Sequence, residues 1–207
     1  MTLRPGTRVL LTSTTIIAAV SFGLPAAPAG AASVGVAPVV KRDVGIERHA
    51  RPTHERATAW MHWLQHPSQP ALLVDLVDET RAAWPVRAAS GRWKTAHVRY
   101  TMARACQSDR PCVIVREGAF GATGWDGLTS AVPGAMNTFT SPVNILLNDS
   151  YLLTGTIRRA VVCHELGHAL GLDHNHRFTS CLQPVAREPW PDHYDLIALE
   201  HRYARRP

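Results

Sequence analysis

The chain carries the run His164-Glu165-Leu166-Gly167-His168-Ala169-Leu170-Gly171-Leu172-Asp173-His174. The first two histidines are four residues apart, so on a helix they lie on one face, about one turn apart. Imidazoles placed in this way suit a zinc ion, and catalytic zinc sites typically use three protein ligands and a water molecule. The spacing therefore predicts a metal site that begins with His164 and His168.

The third ligand needs a turn in the chain. His174 lies too far beyond His168 for a continuous helix to direct both side chains to one ion. Gly171 supplies the turn, because a glycine just past a helix end takes the left-handed conformation without steric cost. Asp173 and His176 are alternative third ligands, and the spacing favours His174.

Glu165 has a different predicted role. It projects about 100° around the helix from His164, where it can reach the zinc-bound water without occupying the metal, and we predict that it is the general base. The competing interpretation is a chance match, since the chain has 11 histidines in 207 residues. With this chain's own composition, that chance is roughly one in ten thousand.

These residues resemble the extended motif of the metzincin zinc endopeptidases, which has the same three histidines, glutamate and glycine. The stretch Ser180-Cys181-Leu182-Gln183-Pro184 is similar to the methionine turn of the matrixin branch. Leu182 stands in place of the methionine, and Gln183 in place of an aromatic residue. Leucine nearly conserves the volume and polarity of methionine, so we expect the site to be retained.

The resemblance extends to both sides of the motif. Asp195 precedes Tyr203 at the spacing of the matrixin C-terminal helix, and Asn144-Ile145-Leu146-Leu147-Asn148 looks like the strand before the active-site helix. The resemblance implies an α+β, metzincin-like zincin fold. In that fold a twisted mixed β-sheet carries an active-site helix and a C-terminal helix, and a substrate cleft runs along an edge strand.

The function expected from the motif and the resemblance is a secreted zinc metalloendopeptidase. Glu165 would activate a zinc-bound water, and His164, His168 and His174 would bind the metal. The partner would be a peptide or protein substrate. Two alternatives remain: a catalytically weak or silent zinc-binding or protein-binding module of the same fold, and a peptidase restricted to one native target.

One catalytic zinc is predicted. Many matrixins hold a second, structural zinc with histidines before the active-site helix, but this chain has no histidine between His97 and His164. Calcium is an open possibility, because acids such as Asp126 could supply oxygen ligands, although no recognisable calcium-loop motif is present.

The N-terminus predicts export. Arg4 and Arg8 precede or border an apolar stretch over 9–24, and small residues follow over 26–32, as in a secretory signal peptide. We therefore divide the chain into a signal peptide (1–32), an N-terminal arm or short pro-segment (33–57) and a catalytic domain (58–207). An uncleaved membrane anchor is the alternative for the first segment. We expect no membrane span after signal removal.

Four cysteines, all after the predicted signal, suit an oxidising compartment. Three pairings are possible, and we favour Cys106 with Cys112 and Cys163 with Cys181. The net charge of +6 comes mainly from scattered arginines, which is weak support for nucleic-acid binding. We predict a monomer that binds no nucleic acid.

Hydrophobic patterns give a coarse secondary structure. A strand is predicted over 58–64, where a helical face fits equally well, and an amphipathic helix over 71–84. Strands are predicted over 97–101, 112–116 and 144–148, and a long loop over 118–142. The active-site helix is predicted over 158–171, with Thr154 or Thr156 as N-cap. The last helix would begin near Asp192 and direct its larger apolar residues to the core: Leu196, Ile197, Leu199 and Tyr203.

Overall fold

A five-stranded sheet lies at the centre of the computed structural model, which describes residues 61–65 and 69–204. Its strands are β1 (Leu72–Asp78), β2 (Val98–Ala103), β3 (Cys112–Gly118), β4 (Gly127–Pro133) and β5 (Phe139–Asn148). They lie in the order β2-β1-β3-β5-β4, and only β4 runs antiparallel to its neighbour. This mixed, mostly parallel sheet with its helices is compatible with the predicted α+β class.

The first strand corrects a prediction. Residues 72–78 form β1 instead of part of a helix. Leu72, Val74 and Leu76 are buried on one face, while Asp75 and Val77 are also buried. A strand covered on both faces has a nearly continuous apolar run, which periodicity alone cannot distinguish from a short helical segment.

The region predicted as one long loop contains sheet. Residues 127–133 form the edge strand β4, and 139–142 begin β5, so the loop prediction is wrong for these two parts. The predicted strands over 97–101, 112–116 and 144–148 are confirmed within β2, β3 and β5. Between β3 and β4 the chain is irregular. There the Asn148 side-chain amide donates to Gly121 O, Thr123 Oγ1 and Trp125 O at 3.0, 2.9 and 3.3 Å.

Three α-helices accompany the sheet in the described part of the chain: α1 (Val86–Ser90), α2 (Gly155–Ala169) and α3 (His193–Tyr203). Helix α2 begins three residues before its predicted start at 158, because Thr154 caps it: the Thr154 Oγ1 accepts a hydrogen bond from Ile157 N at 3.3 Å. One of the two predicted N-caps is therefore confirmed. Every residue of α2 from Ala160 to Ala169 is buried.

Helix α3 starts as predicted. Asp192 and Asp195 form a capping box, in which each side chain accepts a hydrogen bond from the backbone N–H of the other at 2.9 Å. Leu199 and Tyr203 are buried, but Ile197 is 37% exposed, so its placement in the core was wrong. Leu196 is half-buried against the core.

Both favoured disulfides are present, Cys106–Cys112 and Cys163–Cys181.

The predicted first strand is wrong within the described residues 61–64, where His62 forms only an isolated bridge with Thr138. Residues 58–60 and the predicted signal peptide and arm over 1–57 lie outside the described residues. Where the structure describes the chain, we find no helix long and apolar enough to cross a membrane.

Candidate metal centre

Three histidines converge at the end of α2. The His164 Nε2 lies 3.0 Å from the His168 Nε2 and 3.1 Å from the His174 Nε2. His164 and His168 are 5% and 2% exposed, and His174 is half-buried. Within 61–65 and 69–204 this is the one group of three or more potential metal ligands whose donor atoms lie close together.

The other ring nitrogens determine which nitrogen is available to a metal. The His164 Nδ1 lies 2.8 Å from Cys181 O, and the His168 Nδ1 lies 2.8 Å from Leu172 O. A carbonyl oxygen only accepts hydrogen bonds, so both Nδ1 atoms carry protons. In a neutral ring the lone pair is then on Nε2.

Two such lone pairs face each other at 3.0 Å, with His174 Nε2 at 3.1 Å from one of them. A single extra proton on the His164 Nε2 would satisfy only one of its two neighbours. A cation between the rings would satisfy all three, and carbonyl groups that fix the rings of metal-binding histidines are common. The arrangement could therefore hold a metal ion.

Gly171 turns the chain as predicted. Helix α2 ends at Ala169, and Gly171 has φ +81°, in the left-handed region. A Cβ atom there would lie 2.2 Å from Met61 O, so the position also excludes any side chain sterically. The turn brings His174 to the site, whereas the alternatives Asp173 and His176 are exposed and are not members of the group. The Asp173 Oδ1 accepts a hydrogen bond from His174 N at 2.7 Å.

The turn that contains Leu182 lies against the same helix. Leu182 is 1% exposed, and its Cδ2 would be 2.7 Å from a Cβ on Gly167. Glycine in the middle of α2 thus permits the close approach of this turn. The Cys163–Cys181 disulfide ties the turn to the helix, and Cys181 O holds the His164 ring. Leu182 is therefore a packing residue against α2, next to the cysteine whose carbonyl holds the His164 ring.

Asp195 supports the turn from α3. Its Oδ2 accepts from Ser180 Oγ at 2.6 Å, and its Oδ1 accepts from Asn175 Nδ2 at 2.9 Å and from the Arg177 guanidinium. Burial raises the pKa of the Asp195 carboxyl despite these hydrogen bonds. The sequence analysis noted Asp195 through its spacing and Ser180 through its place in the turn. It missed Asn175 and Arg177, which have no regular spacing relative to the histidines.

The Arg177 guanidinium also pairs with Asp192, at 2.7 Å from Nε to Oδ2. Partial burial opposes ionisation of Asp192, but hydrogen bonds from Arg177, Asp195 N and Thr179 outweigh it and lower the pKa of this carboxyl. The segment after the third histidine is thus fixed to the start of α3 by charged and polar contacts.

Glu165 follows His164 in α2 and is buried, at 5% exposure. Its Oε2 accepts a hydrogen bond from Thr129 Oγ1 at 2.6 Å. Gly127 lies two residues earlier on β4, and a Cβ there would meet Glu165 Cγ and Oε1, each at 2.8 Å. Sequence reasoning missed Gly127 and Thr129. The alternation of small residues Gly127, Thr129 and Ala131 was the available signal, because all three are buried on one face of β4.

Asp126, the acid considered for calcium, lies in the irregular segment between β3 and β4, and its carbonyl oxygen accepts a hydrogen bond from Asn148 N at 2.9 Å.

No protein-family model matches the chain, and no curated protein matches its sequence. The candidate metal centre is therefore defined by its own residues and their arrangement.

Proposed function

We propose that the chain is a secreted zinc metalloendopeptidase of the metzincin type, closest to the matrixin branch. The observation that carries this proposal is the convergence of three histidine Nε2 atoms at the end of a helix that also carries the buried Glu165, next to His164 in the sequence. A binding site alone needs no such carboxylate, whereas hydrolysis of a peptide bond needs a general base.

The donor set favours zinc. Calcium and magnesium prefer oxygen ligands, whereas all three candidate ligands are imidazoles. Zn–N bonds of about 2.0–2.1 Å in a tetrahedron place two nitrogen atoms roughly 3.3 Å apart. The Nε2 separations of His164 from His168 and from His174, 3.0 and 3.1 Å, are close to that value. Three protein ligands leave a fourth position open, which is typical of catalytic zinc sites.

When bound, zinc would supply Lewis-acid chemistry, acidifying a water molecule and polarising the scissile carbonyl. Glu165 would take a proton from that water and deliver it to the leaving amine. Its burial excludes bulk solvent from the carboxylate, so the proton would pass between the reacting groups rather than to solvent.

The sheet edge supports a peptide substrate. β4 is at one end of the sheet order and pairs on one side with β5. An extended peptide could add to its other side through main-chain hydrogen bonds, which is a common way of binding peptides. Because Gly127 and Thr129 on β4 also contact Glu165, a peptide bound there would lie close to the proposed base.

Secretion is supported by the two disulfides, because such bonds form and persist in oxidising compartments. The predicted signal peptide over 1–32 agrees with this. The metzincin assignment is supported by Gly171, which directs His174 to the other histidines, and by Asp195, which holds the turn beneath them.

The test combines metal content with proteolysis of an unfolded protein such as casein. We expect one zinc per chain and cleavage by the wild type. Glu165→Gln should retain zinc and lose turnover by at least about a hundredfold, the lower range for a general base. Glu200→Gln, on α3, is the matched control and should remain active.

Retained cleavage by Glu165→Gln would refute the catalytic assignment. One zinc per chain with no cleavage by the wild type would favour the alternative of a catalytically silent zinc-binding or protein-binding module. The departures Leu182 and Gln183 from the methionine-turn pattern motivate that alternative. Cleavage of a native surface protein but not of casein would indicate a peptidase with one target.

A further inference from the structure

We propose that Thr129 is the positioning residue for the general base: its hydroxyl fixes the orientation of the Glu165 carboxylate. This inference rests on the proposed function for its catalytic consequence. The contact itself joins two elements that are far apart in sequence, the edge strand β4 and the helix α2.

The contact is short and buried. Thr129 is 2% exposed, and its Oγ1 lies 2.6 Å from Glu165 Oε2. This distance is typical of a charge-assisted hydrogen bond between a hydroxyl and a carboxylate, which is roughly twice as strong as a neutral one. With little water to compete for either group, the hydroxyl restricts rotation of the Glu165 side chain.

The second oxygen of the carboxylate is confined by the same strand. A Cβ on Gly127 would lie 2.8 Å from Glu165 Oε1 and 2.8 Å from its Cγ. Gly127 thus leaves the room that the side chain occupies, and Thr129 supplies the polar partner. Both carboxylate oxygens therefore lie against β4, so contacts with this strand determine the orientation of the Glu165 carboxylate.

The Thr129 hydroxyl has a second acceptor, the Glu165 backbone oxygen at 3.0 Å. A hydroxyl has one proton to donate and also accepts hydrogen bonds. The hydroxyl therefore contacts Glu165 through its backbone as well as its side chain, and the shorter contact, 2.6 Å, is with the carboxylate oxygen.

Three variants of the full-length, zinc-loaded protein test this role. Thr129→Val has a similar shape and lacks the hydroxyl, Thr129→Ser retains it, and Thr138→Val is the control. Thr138 is also buried, and its hydroxyl donates to a backbone oxygen, Ala135 O, at 2.8 Å. If Thr129→Val does not fold, Thr129→Ala takes its place.

The expected result is a fall in kcat of about tenfold to a hundredfold in Thr129→Val, the size of effect that misplacement of a catalytic group produces. KM and zinc content should change by less than about twofold. Thr129→Ser should recover most of the activity, and Thr138→Val should match the wild type. Crystal structures should show a displaced Glu165 carboxylate in Thr129→Val alone.

Wild-type kcat in Thr129→Val, or a Thr129→Ser variant as impaired as Thr129→Val, would overturn the inference. An inactive wild type would instead contradict the proposed function. The crystal structures would then still decide the positioning role: an unmoved Glu165 carboxylate in Thr129→Val would overturn it, and a displaced carboxylate would support it.

Discussion

Replacing Gly171 with alanine tests the link between the end of α2 and the metal centre. The residue has φ +81°, and a left-handed conformation costs an L-residue about 1–2 kcal/mol. The new Cβ would also lie 2.2 Å from Met61 O, a contact that cannot persist. Moving that oxygen would break its 2.9 Å hydrogen bond from the Arg202 guanidinium, which is worth about 1.5–3 kcal/mol.

Together these two contributions predict a loss of about 2.5–5 kcal/mol in the free energy of unfolding of Gly171→Ala. For a domain of this size the melting temperature should fall by about 5–20 °C. Zinc affinity should fall by about tenfold to a hundredfold, as when groups that support metal ligands are removed, because Gly171 directs His174.

The assay is urea unfolding monitored by tryptophan fluorescence. It is carried out once with a chelator and once with zinc, because zinc binding itself stabilises the folded state. Gly155→Ala is the matched control. It lies at the first residue of the same helix, and nothing lies within 4 Å of a Cβ built there. We expect it to be neutral or slightly stabilising. A Gly171→Ala variant within about 1 kcal/mol of the wild type would refute the steric reasoning.

Three further predictions concern packing, cross-linking and pH. Replacing Cys163 and Cys181 with alanine opens a loop of 18 residues and should lower the free energy of unfolding by about 3 kcal/mol in urea titrations. An unchanged midpoint would contradict this. Leu182→Ala should cost about 2–5 kcal/mol in the same assay, and Leu182→Met less than about 1.5 kcal/mol, because Leu182 is fully buried. Burial raises the pKa of Tyr203 above its ordinary value of 10, so in the unfolded chain it ionises from about pH 10 while the folded residue stays protonated. The contribution of Tyr203 to the free energy of unfolding is complete below pH 10. As the pH rises above 10, it should fall by about 1.4 kcal/mol per pH unit. Burial also raises the pKa of Tyr100 above its ordinary value, so urea titrations from pH 8 to 11 should show the summed slope of both tyrosines in the wild type and in Tyr194→Phe. Tyr203→Phe should show about half of that slope.

Much of the candidate metal centre could be predicted from the sequence because its geometry is local. A helical spacing places His164 and His168 on one face of α2. Gly171, which adopts a positive φ, then turns the chain so that His174 lies close to them. The N-cap Thr154 and the capping box at Asp192 could be predicted for the same reason, since each involves neighbouring residues. Local rules of backbone geometry suffice for such features.

The two errors in the sheet have opposite physical causes. β1 is covered on both faces, so its apolar run lacks the alternation that marks a strand. β4 is an edge strand whose inner residues must be small, because α2 approaches within contact of Gly127. Its glycine, threonine and serine therefore resembled a loop. The role of Thr129 depends on that same contact, and no local pattern specifies it.

X-ray absorption at the zinc edge, on the zinc-loaded protein, tests the central claim most directly. We predict one zinc per chain with three imidazole nitrogens from His164, His168 and His174 and one oxygen, at about 2.0–2.1 Å. His174→Ala should lose one imidazole contribution. A spectrum with sulfur ligands, or three imidazoles still present in His174→Ala, would contradict the account.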